Sequence, residues 1–152
     1  MGSGKSSTGK ALAALLGWEH IDLDSYIEAK IGLDPEGIIS RDGEVRFRAI
    51  EAEALRDVVT MHQLTGENLI LSLGGGTVMT TSVRHLIFGQ TKCVYLKTSG
   101  EELRRRRADG RWPAERVSVY EQAPVTVDTD GKTPQEVAEL IRPRLLNTDK
   151  NE

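Results

Sequence analysis

The sequence predicts an α/β fold built on a mostly parallel sheet. Three observations carry that expectation. Short apolar runs of strand character alternate with longer segments whose apolar residues recur at helical spacing. One run, Leu69-Ile70-Leu71-Ser72-Leu73, is almost continuously apolar and stops abruptly at Gly74-Gly75-Gly76. A strand covered on both faces of a parallel sheet has that composition. Finally, 152 residues with 28% charged and 38% hydrophobic positions suit one globular domain. We expect it to span residues 1–146, with a polar tail at 147–152.

The elements follow in order. Leu12, Leu15 and Leu16 mark a first helix that Gly17 closes. Ile21-Asp22-Leu23-Asp24 reads as a short strand running into a loop, and Ser25 to Ile31 as a short helix. Residues 32–43 carry turn signals. From Glu44 to Thr60, one helical stripe holds Phe47, Ile50, Ala54, Leu55 and Val58. After the apolar strand at 69–73, Thr80 to Phe88 is expected to be helical and Lys92 to Lys97 a strand. Helices at Gly100 to Arg107 and Glu115 to Gln122 come next, then a strand at Val125-Thr126-Val127. Pro134 opens a last helix, Thr133 to Leu145. No repeat or low-complexity tract divides the chain.

Composition narrows the classes of function. A net charge of −3 gives no support for binding nucleic acid or an anionic membrane. No apolar stretch reaches the roughly 18 residues of a membrane span, and no signal-peptide core is visible, so cytoplasmic residence is expected. Cys93 is the only cysteine, in the apolar run Cys93-Val94-Tyr95-Leu96, and reads as an inert core thiol. His20, His62 and His85 lack ligand spacing and read as structural or surface residues.

The residues that can carry chemistry begin at the N-terminus. Gly2-Ser3-Gly4-Lys5-Ser6-Ser7 matches the end of the motif G-x-x-x-x-G-K-[ST], with the chain starting inside it. In such a loop glycines turn backbone N–H groups toward phosphates, the lysine adds positive charge and the hydroxyl binds Mg²⁺. Asp22 and Asp24 lie where a strand ends, the position at which α/β sheets bind ligands. On a strict strand the two carboxylates point the same way. One can hold Mg²⁺ through water while the other accepts a hydroxyl proton, or Asp24 can simply cap the next helix. Arg48 reads either as a site residue or as a solvated partner of Glu44 or Glu51. Gly74, Gly75 and Gly76 permit close approach to a backbone, for a ligand or for a tight turn. Arg104 to Arg107 form either a solvated helix face or, with Arg111, a source of guanidinium groups for a phosphate.

Taken together, M-G-S-G-K-S-S, I-D-L-D-S-Y-I-E, D-G-E-V-R-F-R-A-I-E-A-E, S-L-G-G-G-T-V, E-R-V-S-V-Y-E-Q-A and V-D-T resemble the shikimate kinase family over nearly the whole chain. The resemblance implies a P-loop NTPase-like three-layer sandwich with a parallel sheet. It implies ATP-dependent phosphorylation of the 3-hydroxyl of shikimate, in aromatic amino-acid biosynthesis. Lys5, Ser6 and their neighbours Gly2, Ser3, Gly4 and Ser7 would serve ATP, with Ser6 and Asp22 near Mg²⁺. Asp24 would hold the ring hydroxyls and assist deprotonation. Arg48 and Arg116 would clamp the carboxylate, and Gly74, Gly75 and Gly76 would line the ring. Arg111 would be the lid arginine and Arg105 a nucleotide contact. The substrate-binding segment would run from about residue 24 to 60. A monomer is expected. Two departures are also expected: a sheet lacking its N-terminal central strand, and a shortened lid at about 108–114, since Arg111-Trp112-Pro113 runs straight into Ala114-Glu115-Arg116. A non-catalytic nucleotide-binding relative and another P-loop small-molecule kinase share parts of this pattern. Gluconate kinases have the loop and fold class without the D-x-D, F-R-x-x-E and GGG set.

Overall fold

The chain enters its first helix, α1 (Lys5–Leu16), through Gly4 at φ 75° and leaves it through Gly17 at φ 70°. Both glycines occupy the left-handed region that side chains disfavour, which is why the helix ends where it does. The computed structural model describes residues 4–99 and 114–146, with the side chains of 114 and 115 excepted.

Strand β1 (Glu19–Asp22) begins and ends two residues earlier than expected, because α2 (Leu23–Ile31) starts directly after Asp22. Asp22 is its cap: the carboxylate accepts the Ser25 N–H at 3.0 Å. Asp22 and Asp24 therefore do not share a strand. Asp22 is the extended residue before the helix and Asp24 lies in its first turn, and the capping role falls to Asp22 rather than Asp24. Residues 32–43 hold more than turns. Asp34 accepts the Gly37 N–H, Pro35 takes the first helical position, and α3 (Pro35–Asp42) follows. Its sequence concealed it because only Ile38 is buried, too few apolar positions to show a period. Helix α4 (Glu44–Thr65) runs five residues past the expected end to Gly66 at φ 71°.

Strand β2 (Leu69–Ser72), a 3₁₀ turn (Thr77–Met79), α5 (Thr81–Gln90) and β3 (Val94–Lys97) follow. Helix α6 (Ala114–Tyr120), β4 (Val125–Asp128) and α7 (Pro134–Leu146) complete the order. The ladders are parallel: β1 pairs with β2 from Glu19↔Leu69 to Asp22↔Ser72, and β3 with β4 from Val94↔Val125 to Lys97↔Asp128. Among the described residues no ladder joins the two pairs. Leu69, Ile70 and Leu71 are consequently half-buried rather than fully enclosed, since only one edge of β2 has a partner strand.

Alternation along β2 divides the interior. Leu71 and Leu73 join a core with Leu23, Ile27, Ile38, Phe47, Leu55 and Val83, contributed by α2, α3, α4 and α5. Ile70 joins a second core, where Leu12 of α1 meets Val125, Val127, Val137 and Ile141. Helices thus cover both faces of the strands, as an α/β layer architecture requires. Among the described residues no helix is long and apolar enough to cross a membrane.

Candidate functional site

The end of β2 organises the site. Beyond Ser72 the chain turns through Leu73-Gly74-Gly75-Gly76 into the 3₁₀ turn, and the first residue of α1 lies alongside. Ser72 Oγ donates to the Lys5 carbonyl at 3.0 Å. Lys5, Gly74 and Gly75 line one cavity with Tyr95 and Tyr120. The Tyr120 hydroxyl donates to the Gly75 carbonyl, and its ring lies 5.2 Å from that of Tyr95, centroid to centroid. No side chain of the Gly4 cap occupies the first N–H groups of α1. An uncapped helix start with a lysine beside it is a ready anion site.

Side chains of α2 and α4 approach the same glycine turn. A Cβ added to Gly74 would stand 3.3 and 3.4 Å from the two Asp24 carboxylate oxygens. One on Gly76 would overlap the Arg48 guanidinium, 2.8 Å from Cζ. Gly76 has φ −96°, an ordinary value, so it is glycine for the sake of space rather than backbone freedom. The triplet admits Asp24 and Arg48 to the backbone turn, and both side chains converge on it.

Arg48 pairs with both acids that the sequence offered, Glu44 and Glu51. Its Nη2 lies 3.7 Å from Glu44 Oε1, a half-exposed pair of little energetic weight. Its Nη1 donates to Glu51 Oε1 at 2.9 Å, and Glu51 is only 1% exposed. Thr77, fully buried, donates through Oγ1 to the other oxygen, Oε2, at 2.9 Å. Glu51 thus holds the arginine from below. Burial pushes its carboxyl above the usual range, against the opposing pull of Arg48 and Thr77. Sequence reasoning gave Glu51 only as a possible surface partner. The available signal was its place on the buried stripe, four residues from both Phe47 and Leu55.

Asp24 is half-buried, and its carboxyl is raised by burial and by Asp22, with Lys5 and Arg48 acting in the opposite direction. Two cations therefore flank a carboxylate whose affinity for a proton is enhanced. Asp22 spends Oδ1 on its cap, which leaves Oδ2 for another partner. Ser6 is half-buried in the first turn of α1, whereas Ser7 is exposed. Among the described residues no group of three or more metal-ligating side chains exists. One carboxylate and one hydroxyl suit Mg²⁺, which takes most of its ligands from phosphates and water.

Arg116 is half-buried on α6, and that helix packs on the 3₁₀ turn following the glycines. Gly2, Ser3, Arg105, Arg111 and the lid to residue 113 lie outside the described residues. Burial lowers the His20 imidazole pKa, and its Nε2 lies 2.8 Å from Ser72 Oγ. His20 is structural, as expected. Cys93 is a free, largely enclosed thiol, pushed up to about 11 by burial.

Residues 1–145 match the family model described as shikimate kinase. The chain is 37% identical to a shikimate kinase of Mycobacterium avium, over 97% of this chain and 90% of the relative. It is 33% identical to that of Moorella thermoacetica, over 95% and 90%. A solved shikimate kinase from Aquifex aeolicus superposes with a TM-score of 0.83 at 24% identity, covering 100% of this chain and 95% of that one, which establishes the shared fold. A shikimate kinase from Acinetobacter baumannii, solved in complex with shikimate, superposes at 0.79 with 28% identity, covering 100% and 91%. The parallel strands, the helices on both faces and the glycine-led α1 agree with a P-loop NTPase-like fold. On the match along its length, this chain belongs to the shikimate kinase family.

Proposed function

We propose that the protein transfers the γ-phosphoryl group of ATP to the 3-hydroxyl of shikimate, and that the site lies on the Gly74–Gly76 turn. The convergence of Lys5, Asp24 and Arg48 on that turn is the observation that carries this reading. An acceptor bearing both hydroxyls and a carboxylate needs a base and a fixed cation, and Asp24 and Arg48 provide them beside one turn.

Each residue then has a task. The first turn of α1 and Lys5 bind the β- and γ-phosphates, with Ser7 at the edge and Gly2 and Ser3 completing the loop. Arg48, preset by Glu51, pairs with the acceptor carboxylate in a bidentate fork, and Arg116 approaches the same group from α6. Gly74, Gly75 and Gly76 let the ring lie close to the backbone. Asp24, with its raised proton affinity, orients the hydroxyl and takes its proton as the oxygen attacks phosphorus. Lys5, with Arg111 and Arg105, offsets the charge on the transferring group. Mg²⁺ would be held by Ser6 directly and Asp22 through water, and would neutralise phosphate charge. Most of the acceleration would come from positioning, since an in-line transfer needs little covalent help. The shortened lid would exclude water less completely than a longer one. We further propose that the protein acts as a cytoplasmic monomer, with no nucleic-acid or membrane partner.

The test is ADP release on adding shikimate to the folded protein with Mg²⁺ and ATP. Shikimate-dependent turnover is expected, with little from the shikimate methyl ester, which lacks the charge that Arg48 would pair. ADP binding without any shikimate-dependent turnover would overturn the kinase assignment.

A further inference from the structure

Helix α1 packs on the β1–β2 ladder, and the contact contains a polar chain that phosphoryl transfer does not explain. Ser72 Oγ gives its single proton to the Lys5 carbonyl at 3.0 Å. The 2.8 Å contact between Ser72 Oγ and His20 Nε2 must then run from the imidazole N–H to the hydroxyl oxygen. The tautomer is thereby assigned: His20 carries its proton on Nε2. In the ladder register His20 stands opposite Ile70 and Asp22 opposite Ser72, so His20 reaches its partner diagonally.

Gly9 makes room for this chain. It lies one helical turn beyond Lys5, where its own N–H also bonds the Lys5 carbonyl in the α-helical pattern. A Cβ on Gly9 would stand 2.7 Å from His20 Nε2 and nearer still to Ser72 Oγ. A glycine inside a helix is costly relative to alanine. At this position the missing side chain is the space that the His20–Ser72 pair fills.

We infer that His20 is a positioning residue for the phosphate-binding turn: through the Ser72 hydroxyl it holds the Lys5 peptide, and with it the start of α1, against the end of β2. Ser72 is two residues before Gly74, so the same hydroxyl ties the nucleotide turn to the acceptor turn. The inference rests on the reading that Lys5 binds phosphate. It goes beyond that reading by giving a role to a histidine that touches neither substrate.

The experiment measures ADP affinity by calorimetry, with KM for ATP and for shikimate from steady-state rates. His20→Leu is expected to weaken ADP and raise the KM for ATP by about three- to tenfold, the effect of one lost hydrogen bond, with the KM for shikimate nearly unchanged. His20→Gln, which keeps an N–H donor near the place of Nε2, should return ADP affinity to within about twofold of wild type. Gly9→Ala should weaken ADP in the wild-type background but add little to Ser72→Ala, because the hydroxyl through which His20 holds the Lys5 peptide is then already gone. A folded His20→Leu that binds ADP like wild type overturns the inference, as does a Gln variant no better than Leu. Should His20→Leu not fold, additive losses in the Gly9→Ala/Ser72→Ala cycle overturn it instead. Wild-type protein that binds no ADP at all overturns the kinase reading, and the role of His20 with it.

Discussion

Arg48 donates through Nη1 to Glu51 at 2.9 Å, and the same carboxylate accepts the Thr77 hydroxyl through its other oxygen at 2.9 Å. The arginine that faces the glycine turn is therefore anchored by a buried acid, itself anchored by a buried hydroxyl. Glu51→Ala removes both bonds and leaves Thr77 without its acceptor. We expect a stability loss of about 2–3 kcal/mol in urea unfolding, moderated because Arg48 is partly in contact with water. Glu51→Gln keeps an acceptor for Thr77 and should cost less, yet still raise the KM for shikimate by releasing Arg48. Equal stability loss in both variants would show that the hydrogen bond from Thr77 contributes nothing to the anchor.

Acidity gives the same contact a second signature. Burial raises the Glu51 carboxyl above its unfolded value of 4.5. A raised acid favours folding fully below the unfolded value, and that contribution is lost as pH rises through the folded value. Glu51→Gln has no such proton to lose. Its stability relative to wild type should therefore improve as pH is raised from 4.5 into the neutral range, read from urea midpoints at each pH. A difference that stays flat or falls across that window contradicts the assignment.

Arg48→Ala should weaken shikimate by about ten- to a hundredfold while leaving ADP affinity within about twofold, as expected for a lost charged hydrogen-bonded pair. The methyl ester of shikimate should bind wild type and variant about equally. Calorimetry with both ligands separates a carboxylate clamp from a general loss of structure.

Gly76→Ala tests space rather than backbone freedom. At φ −96° alanine is comfortable, so any loss of stability should come from the disturbed Arg48–Glu51 contact rather than from the backbone. The new methyl meets the Arg48 guanidinium, 2.9 Å from Nη1, and must displace it. The KM for shikimate should rise by about tenfold or more, since small misplacements of positioning groups are costly. An unchanged KM would place the acceptor away from this turn.

Cys93 lines the cavity shared by Lys5 and Tyr95, with its thiol pushed up to about 11 by burial. At pH 8 it should react with a thiol reagent far more slowly than a free cysteine, and reach the ordinary rate only on unfolding. Rapid labelling of the folded protein would show that the cavity opens readily.

Much of this protein was legible in local sequence. Gly17 marks the end of α1 because a left-handed residue is needed there, and that requirement is local, whereas Gly66, which ends α4 in the same way, escaped. The stripe from Phe47 to Val58 exposed α4, and the apolar run before Gly74 exposed β2. Helix α3 escaped because its one buried residue gives no period, and its Asp34 cap is also an ordinary turn residue. The strand-to-helix switch after Asp22 escaped because apolar Leu23 continues a strand pattern as readily as it begins a helix.

The sequence by itself determined the fold class and the family. Each is written in short motifs whose spacing survives without knowledge of what packs against them. Only the tertiary structure decided that Glu51 is an anchor rather than a surface partner, that Gly76 is small for the sake of Arg48, and that Gly9, His20 and Ser72 form one contact. Those relationships join residues as far as 63 positions apart, Gly9 and Ser72, or depend on which helix face is covered. Burial and close approach are set by packing, and a linear pattern carries packing only as an average.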